Sequence, residues 1–290
     1  MPVTGFFSSM LMEFPSPVGF LTAKGLVLWA CKNSGNNCPS GATSLGFSNS
    51  NNIVINGLTS LNSQMYHIVF NGCNNVKVQG VKVSASGKAR TPMASTFSYP
   101  AVSQFLTPRS PPETIVSPLP WNQRLMDRKR CLCIGSLGKN SEEPGVQNVT
   151  VKTATFTGTQ NGLRIKSWGR PSNGFARNIL FQHAVMQNVQ NPIIIDQNYC
   201  PDNKGCPGQV SGVQISDVTY QDIHGTSATE VAVNLDCSSK NPCSRIKLQD
   251  VKLTYNNQPA SASCSHADGS ANGVVQTGKL PVDIICSIIN

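Results

Sequence analysis

The feature that most constrains this chain is an apolar phrase that recurs with the same internal offsets. Val149, Val151, Ala154 and Phe156 are followed, 14 residues after Val149, by a second alternation at Leu163 and Ile165. Ile179, Phe181, Ala184 and Met186 are followed, 14 residues after Ile179, by Ile193 and Ile195. Two short strands per turn, offset alike in successive turns, are the mark of a solenoid. The phrase is also present at Ile53-x-Ile55, Val76-x-Val78, Val213-x-Ile215-x-Asp217 and Ile246-x-Leu248-x-Asp250, with steps of 23, 30, 34 and 33 residues. Antiparallel hairpins would give more uniform short loops, and βαβ units would need longer amphipathic runs than the chain contains. The expected fold is all-β, a right-handed parallel β-helix.

Within that repeat, Leu26 to Trp29 reads as an opening strand before a loop flanked by Cys31 and Cys38. Asn52 and Asn75 stand just ahead of strands, where side-chain amides bond turn backbone or stack between coils. Asp217 and Asp250 take the same place in the phrase and read as turn-formers rather than an acid pair. His67, His183 and His224 lie at strand or turn positions and read as structural.

The repeat fails in one place. Val76 and Val149 are 73 residues apart, room for two further turns, yet Lys88 to Cys133 carries seven of the 19 prolines and none of the apolar phrase. Proline cannot sit in a central ladder strand. This gives five expected segments: an atypical start at 1–24, coils at 25–87, an irregular segment at 88–133, coils at 134–276 and an atypical tail at 277–290. The same 46 residues hold seven basic and two acidic side chains, so +5 of the net charge of +9 arises there. A nucleic-acid reading of that charge is therefore not adopted, although Arg124-Leu125-Met126-Asp127-Arg128-Lys129-Arg130 is locally basic. Eleven cysteines, with close pairs at Cys200/Cys206 and Cys237/Cys243, point to disulfides and an oxidising compartment. No histidine accompanies those pairs at metal-ligand spacing, so neither a zinc site nor any other cofactor is expected. Asn148-Val149-Thr150 is a lone glycosylation sequon. The first 23 residues contain no Lys or Arg and no cleavage pattern after an apolar run, so no signal peptide is read there, and no stretch is long enough to span a membrane.

In a strand reading Leu163-Arg164-Ile165-Lys166, Leu163 and Ile165 face the core. Arg164 and Lys166 then share the outer face roughly 7 Å apart, two strand rises. Such a pair suits a carboxylate ligand, the Arg fork bidentate and the Lys a point charge. A solvated basic face is the alternative from residue type alone.

Asn161-Gly162-Leu163-Arg164-Ile165-Lys166-Ser167-Trp168, the strand Ile193-Ile194-Ile195-Asp196-Gln197-Asn198-Tyr199-Cys200 and the text of 25–87 and 134–276 resemble the plant polygalacturonases, pectin-degrading glycoside hydrolases, and in particular their pollen exo-acting members. The resemblance implies a pectin-lyase-like right-handed parallel β-helix, a monomer in the cell wall, and cleavage of α-1,4-linked galacturonic acid in pectin or polygalacturonate. It assigns Arg164 and Lys166 to the sugar carboxylate and places Tyr199 in the cleft.

Inverting glycosidases need carboxylates on both sides of the scissile bond. The family's Asn-Thr-Asp motif, Asp-Asp pair and Gly-His-Gly turn are all missing from this chain, so no catalytic residue is assigned and the chain is expected to be inactive. Arg90 to Tyr99 back-translates, two bases on, to Asn-Thr-Asp-Gly-Ile-His-Val-Gln-Leu, and Glu113 to Pro118 to Gly-Asp-Asp-Cys-Val-Ser. The expectation is that Lys88 to about Arg130 is read out of frame. A non-catalytic pectin-binding β-helix, a non-functional product and a structural or adhesive β-helix are the competing readings.

Overall fold

The computed structural model describes residues 3–5, 10–13, 19–34, 37–85, 131–200, 205–275 and 286. Its strands run β1 (Val3–Gly5), β2 (Met10–Glu13) and β3 (Gly19–Thr22), then helix α1 (Gly25–Asn33), then β4 (Leu45–Ser48), β5 (Asn51–Asn56) and β6 (Leu58–Leu61). They continue as β7 (Ile68–Asn71), β8 (Asn74–Gln79), β9 (Lys82–Ser84), β10 (Leu132–Leu137), β11 (Val146–Thr157), β12 (Asn161–Trp168) and β13 (Phe175–Val189). The chain closes on β14 (Asn191–Tyr199), β15 (Gln214–Ser227), β16 (Val231–Asp236), β17 (Cys243–Tyr255), β18 (Gln258–Pro259), β19 (Ser261–Ser265) and β20 (Ala267–Asn272).

One strand from each coil joins an eight-stranded parallel sheet, β1-β4-β7-β10-β12-β14-β16-β19. The remaining strands form a second sheet along β17-β15-β13-β11-β8-β5-β2. Parallel strands joined by crossovers of this kind wind right-handed, and the molecule is a right-handed parallel β-helix.

The core is a set of stacked columns. Ile53, Val76, Val149, Ile179, Val218 and Ile246 lie in one ladder position, and Ile55, Val78, Val151, Phe181, Tyr220 and Leu248 in the next inward one. All are buried, and each aliphatic side chain so placed contributes roughly 1.5–3 kcal/mol over exposure. The Phe181 and Tyr220 rings stack with centroids 5.1 Å apart.

Two corner columns bend the second sheet. Asn52, Asn75, Asn148, Asn178, Asp217 and Arg245 all hold φ between 54° and 57°. Asn and Asp tolerate this left-handed region because their short polar side chains bond locally. Asn75 Nδ2 donates to Asn52 Oδ1 at 2.6 Å and Asn178 Nδ2 to Asn148 Oδ1 at 3.3 Å, so the expected asparagine stacking between coils is present. The second column is Gly57, Gly80, Thr153, His183, Asp222, Asp250 and Gly273, again all at positive φ. Asp217 and Asp250 are thus corner residues, but of different columns. Ile179 pairs with Val218 and Val218 with Ile246, five residues off the register that the recurring phrase suggests. The two corners are themselves five residues apart, and the phrase aligns equally well with either.

Three other expectations change. Leu26 to Trp29 is part of α1, not a strand. Leu28 and Trp29 are buried, with Ala85, Leu26 and Cys38 packed alongside, while Val27 is 72% exposed; a run of four apolar residues fits either structure. Leu132 and Cys133, placed in the expected irregular segment, belong to β10. Residues 88–130 lie outside the described ones, as do 277–285 and 287–290 of the tail. Finally, the stack carries no gap: β7 pairs directly with β10, and β8 with β11. Cys200–Cys206 and Cys237–Cys243 form the expected disulfides, joined by Cys31–Cys38, Cys131–Cys133 and Cys264–Cys286. Cys73 is a buried free thiol.

Candidate functional site

Strand β12 places Leu163 and Ile165 in the core and Arg164 and Lys166 on the other face of the eight-stranded sheet. Cross-strand register sets their neighbours. Arg164 lies between Cys133 of β10 and Ile194 of β14; Lys166 pairs with Asp196, and Asp196 with Asp236 of β16. Trp168 pairs with Tyr199 at the end of β14.

The three residues read from the sequence are brought together. Arg164 Nη2 donates to Asp196 Oδ2 at 2.6 Å, and its guanidinium lies 5.2 Å from the centre of the Tyr199 ring. Lys166 Nζ sits between two rings, 3.8 Å from the centre of Tyr66 and 4.3 Å from that of Tyr199. Desolvated cation–π contacts of this kind are worth roughly 1–2 kcal/mol each. The Tyr66 and Tyr199 hydroxyls are 2.9 Å apart, and Trp168 packs edge-on to Tyr199.

The solvated basic face, the alternative from residue type alone, is not what forms. Lys166 is 1% exposed and Arg164 8%, and β12 is buried from Asn161 to Ser167 on both faces. The reason is local: Tyr66 and Tyr199 close over the pair. Arg164 Nε is buried and has no hydrogen-bond partner among the described residues. Buried guanidinium donors are ordinarily satisfied, so an unpaired one beside a cation sandwich marks a place for an acceptor.

Sequence reasoning missed Asp196, Tyr66 and Asp236. Asp196 was legible, because the alternation that turns Ile193 and Ile195 inward turns Ile194 and Asp196 outward. Tyr66 carried no signal, since its place depends on coil three, the coil of β7 when coils are counted along the eight-stranded sheet, stacking directly on coil four, that of β10. Asp196 is engaged with Arg164 and also accepts from the Asn198 backbone amide at 3.2 Å. Asp236 accepts both contacts of the Asn198 amide, at 3.0 and 3.1 Å. Both carboxylates on this face are therefore committed to protein partners. Among the described residues, no three His, Cys, Asp or Glu converge as a metal site, and no helix is long and apolar enough to cross a membrane.

The remaining histidines are elsewhere. His183 Nδ1 is 2.7 Å from Asp222 Oδ2, and His224 Nδ1 is 3.4 Å from Asp222 Oδ1, on the second sheet. His67 is buried with Nδ1 at 2.8 Å from Ser60 Oγ.

Comparison with known proteins adds a family. The family model for glycosyl hydrolases family 28 matches residues 18–97 and 130–274, passing over 98–129. A polygalacturonase of Prunus persica is 64% identical over 266 residues, covering 89% of this chain and 68% of that protein. Polygalacturonase-2 of Solanum lycopersicum is 36% identical, covering 86% and 56%, and an exopolygalacturonase of Platanus acerifolia is 33% identical, covering 89% and 71%. The chain thus spans between 56% and 71% of the length of these three relatives. With its parallel β-helix and a match over most of its length, the chain belongs to the glycosyl hydrolases of family 28.

Proposed function

We propose that this chain is a pectin-directed member of its family that recognises galacturonate but does not turn it over. The observation that carries the reading is the convergence of Arg164, Lys166 and Tyr199 beside a buried guanidinium N–H that has no partner among the described residues. Two cations and an aromatic ring form a cradle for the carboxylate of a uronic acid, with Arg164 Nε as the donor that Asp196 does not engage and the Lys adding charge. The polygalacturonase names of the relatives support α-1,4-galacturonan as the polymer, and a cell-wall setting follows from it. An exo-acting ancestry is the narrower reading, supported by the exopolygalacturonase name of the Platanus acerifolia relative.

The absence of turnover is read from the sequence, which contains no Asn-Thr-Asp, Asp-Asp or Gly-His-Gly motif. Hydrolysis by inversion needs one carboxylic acid to protonate the leaving oxygen and a carboxylate to activate water on the opposite side. The two carboxylates on the face of the cradle, Asp196 and Asp236, are held by Arg164 and Asn198 instead. An out-of-frame origin for Lys88 to Arg130 accounts for the missing motifs, and the family match omits 98–129, narrower than that span.

The test pairs two assays on the purified chain. Reducing-end release from polygalacturonate should stay at the no-enzyme level, while calorimetry with oligogalacturonate should show binding that Arg164→Ala abolishes. Turnover near that of a competent relative overturns the inactivity. Binding that survives Arg164→Ala, or is absent altogether, overturns the cradle and leaves a structural β-helix.

A further inference from the structure

The second sheet, which does not carry Arg164 and Lys166, has an outward facet that the cradle leaves unused. Between the two corner columns each strand turns two side chains outward, and strand pairing sets them in two rows that cross the strands. Lys77, Thr150, Leu180, Thr219 and Lys247 form one row on β8, β11, β13, β15 and β17, and Gln79, Lys152, Gln182, Gln221 and Gln249 form the other. The rows hold three ammonium groups, four side-chain amides and two hydroxyls, with no carboxylate and no aromatic ring. The three lysines and Gln79 are exposed, and the other polar members are half-buried. Lys77 and Lys152 have no ion-pair partner among the described residues. The carboxylates of the flanking corners are engaged where they stand, Asp217 by Arg245, Asp222 by His183 and Asp250 by the Val274 backbone amide. A glutamine ladder built only to hold coils together would pair along its whole length. Here Gln182 Nε2 donates to Gln221 Oε1 at 2.9 Å, while Gln79 and Gln249 keep amides with no side-chain partner among the described residues.

We propose that this facet is a second, non-catalytic docking track for an extended polyuronate chain running across the strands. The ammonium groups take carboxylates, and the amides and threonine hydroxyls take sugar hydroxyls. Charge complementarity selects the occupant. A neutral glycan would leave three ammonium groups unmatched, and a single-stranded nucleic acid would find no ring to stack on. Strands advance by about 4.8 Å, so four steps put Lys77 and Lys247 roughly 19 Å apart, with Lys152 between them on the neighbouring row. Exposed ion pairs contribute little singly, so the track needs a polymer long enough to meet all three lysines at once. The inference rests on the galacturonan reading for the identity of that polymer, and not on the cradle.

The test titrates the full chain and its Arg164→Ala variant onto immobilised polygalacturonate and onto the fully methyl-esterified polymer, at low and at high salt. Arg164→Ala should keep binding to the acidic polymer that weakens as salt rises, and should bind the esterified polymer less tightly. Adding Lys77→Gln, Lys152→Gln and Lys247→Gln to that variant should weaken binding to the acidic polymer about tenfold, the sum of three exposed pairs at the middle of their usual range, with the melting temperature unchanged. The same three substitutions in the wild-type background should leave the binding of digalacturonate unchanged, because that ligand is too short to reach along the facet and reports on the cradle alone. Equal binding by Arg164→Ala with and without the lysine substitutions overturns the track, as does loss of all polymer binding in Arg164→Ala by itself or equal affinity for acidic and esterified polymer. Failure of the cradle looks different: digalacturonate does not bind, while the polymer still binds through the three lysines.

Discussion

Removing the Tyr66 ring should expose Lys166. The ammonium is held between two rings, 3.8 Å and 4.3 Å from their centres. At roughly 1–2 kcal/mol per desolvated contact, an opening that frees the amine costs roughly 2–4 kcal/mol. At 1.4 kcal/mol per tenfold, this slows its reaction with an acylating reagent about 30- to 700-fold relative to an open lysine. Lys77, Lys152 and Lys247 are exposed and serve as internal references. Peptide mass spectrometry after brief labelling should show Lys166 far behind these three. Tyr66→Ala removes one ring and should speed Lys166 labelling about 5- to 30-fold by the same conversion. Tyr66→Phe keeps the ring and loses the 2.9 Å contact to the Tyr199 hydroxyl, so labelling should hold while stability falls by about 1 kcal/mol. The alanine variant also creates a cavity costing about 3–5 kcal/mol; if it fails to fold, Tyr66→Leu gives the same readout with a smaller void. Wild-type Lys166 labelling at the pace of the reference lysines would refute the closure outright.

Other perturbations probe the coil stack. The Arg245 guanidinium hydrogen-bonds Asp217 and holds its carboxyl at about 2, below the usual value near 3.9. A depressed folded pKa gives stability that is complete above the unfolded value and is lost as pH falls towards about 2. The melting-temperature difference between wild type and Asp217→Asn should therefore shrink between about pH 4 and pH 2; a constant difference would dismiss the ion pair. Tyr220 is fully buried and its hydroxyl has no hydrogen-bond partner among the described residues. Tyr220→Phe keeps the stack on Phe181 and should be neutral or raise stability by about 1 kcal/mol in urea melts. Thr153 is β-branched at φ 55°, in a column whose earlier members are Gly57 and Gly80. Thr153→Gly should stabilise by roughly 1 kcal/mol, measured by the same melts, and a loss of stability would show that the corner does not strain it.

The fold was legible because a β-helix writes its period directly into apolar residues. Each coil places the same inward side chains at the same depth, so Val149 and Ile179 declare their pairing in the text. Register across a corner was not legible. Asp217 and Asp222 are both left-handed corners flanked by apolar couplets, and only hydrogen bonding to the next strand decides which one faces Arg245. For α1, the four residues Leu26 to Trp29 satisfy either period, and packing on Ala85 selects the helix. The cradle was legible in kind and not in state. Residue types at alternate positions identified the cations, but the closing of Lys166 needs Tyr199 and also Tyr66, a residue on another coil about 100 positions away in sequence.

That distance along the chain makes the number of coils a determinant of the site. Tyr66 stands at the start of coil three, its carbonyl held by the Ser44 backbone amide at 2.9 Å and by Ser63 Oγ at 2.6 Å. Lys166 lies on coil five and Tyr199 on coil six, in a sheet whose strands advance by roughly 4.8 Å. With β7 paired directly to β10, Tyr66 can lean across one coil to Lys166 and across two to Tyr199. Two further coils between β7 and β10, for which the 73 residues from Val76 to Val149 leave room, would move Tyr66 away by roughly 10 Å. No tyrosine side chain spans that increment and keeps a 2.9 Å hydroxyl contact. The closed state of the cradle is thus tied to the short stack, and a longer stack would uncover Lys166 on that side.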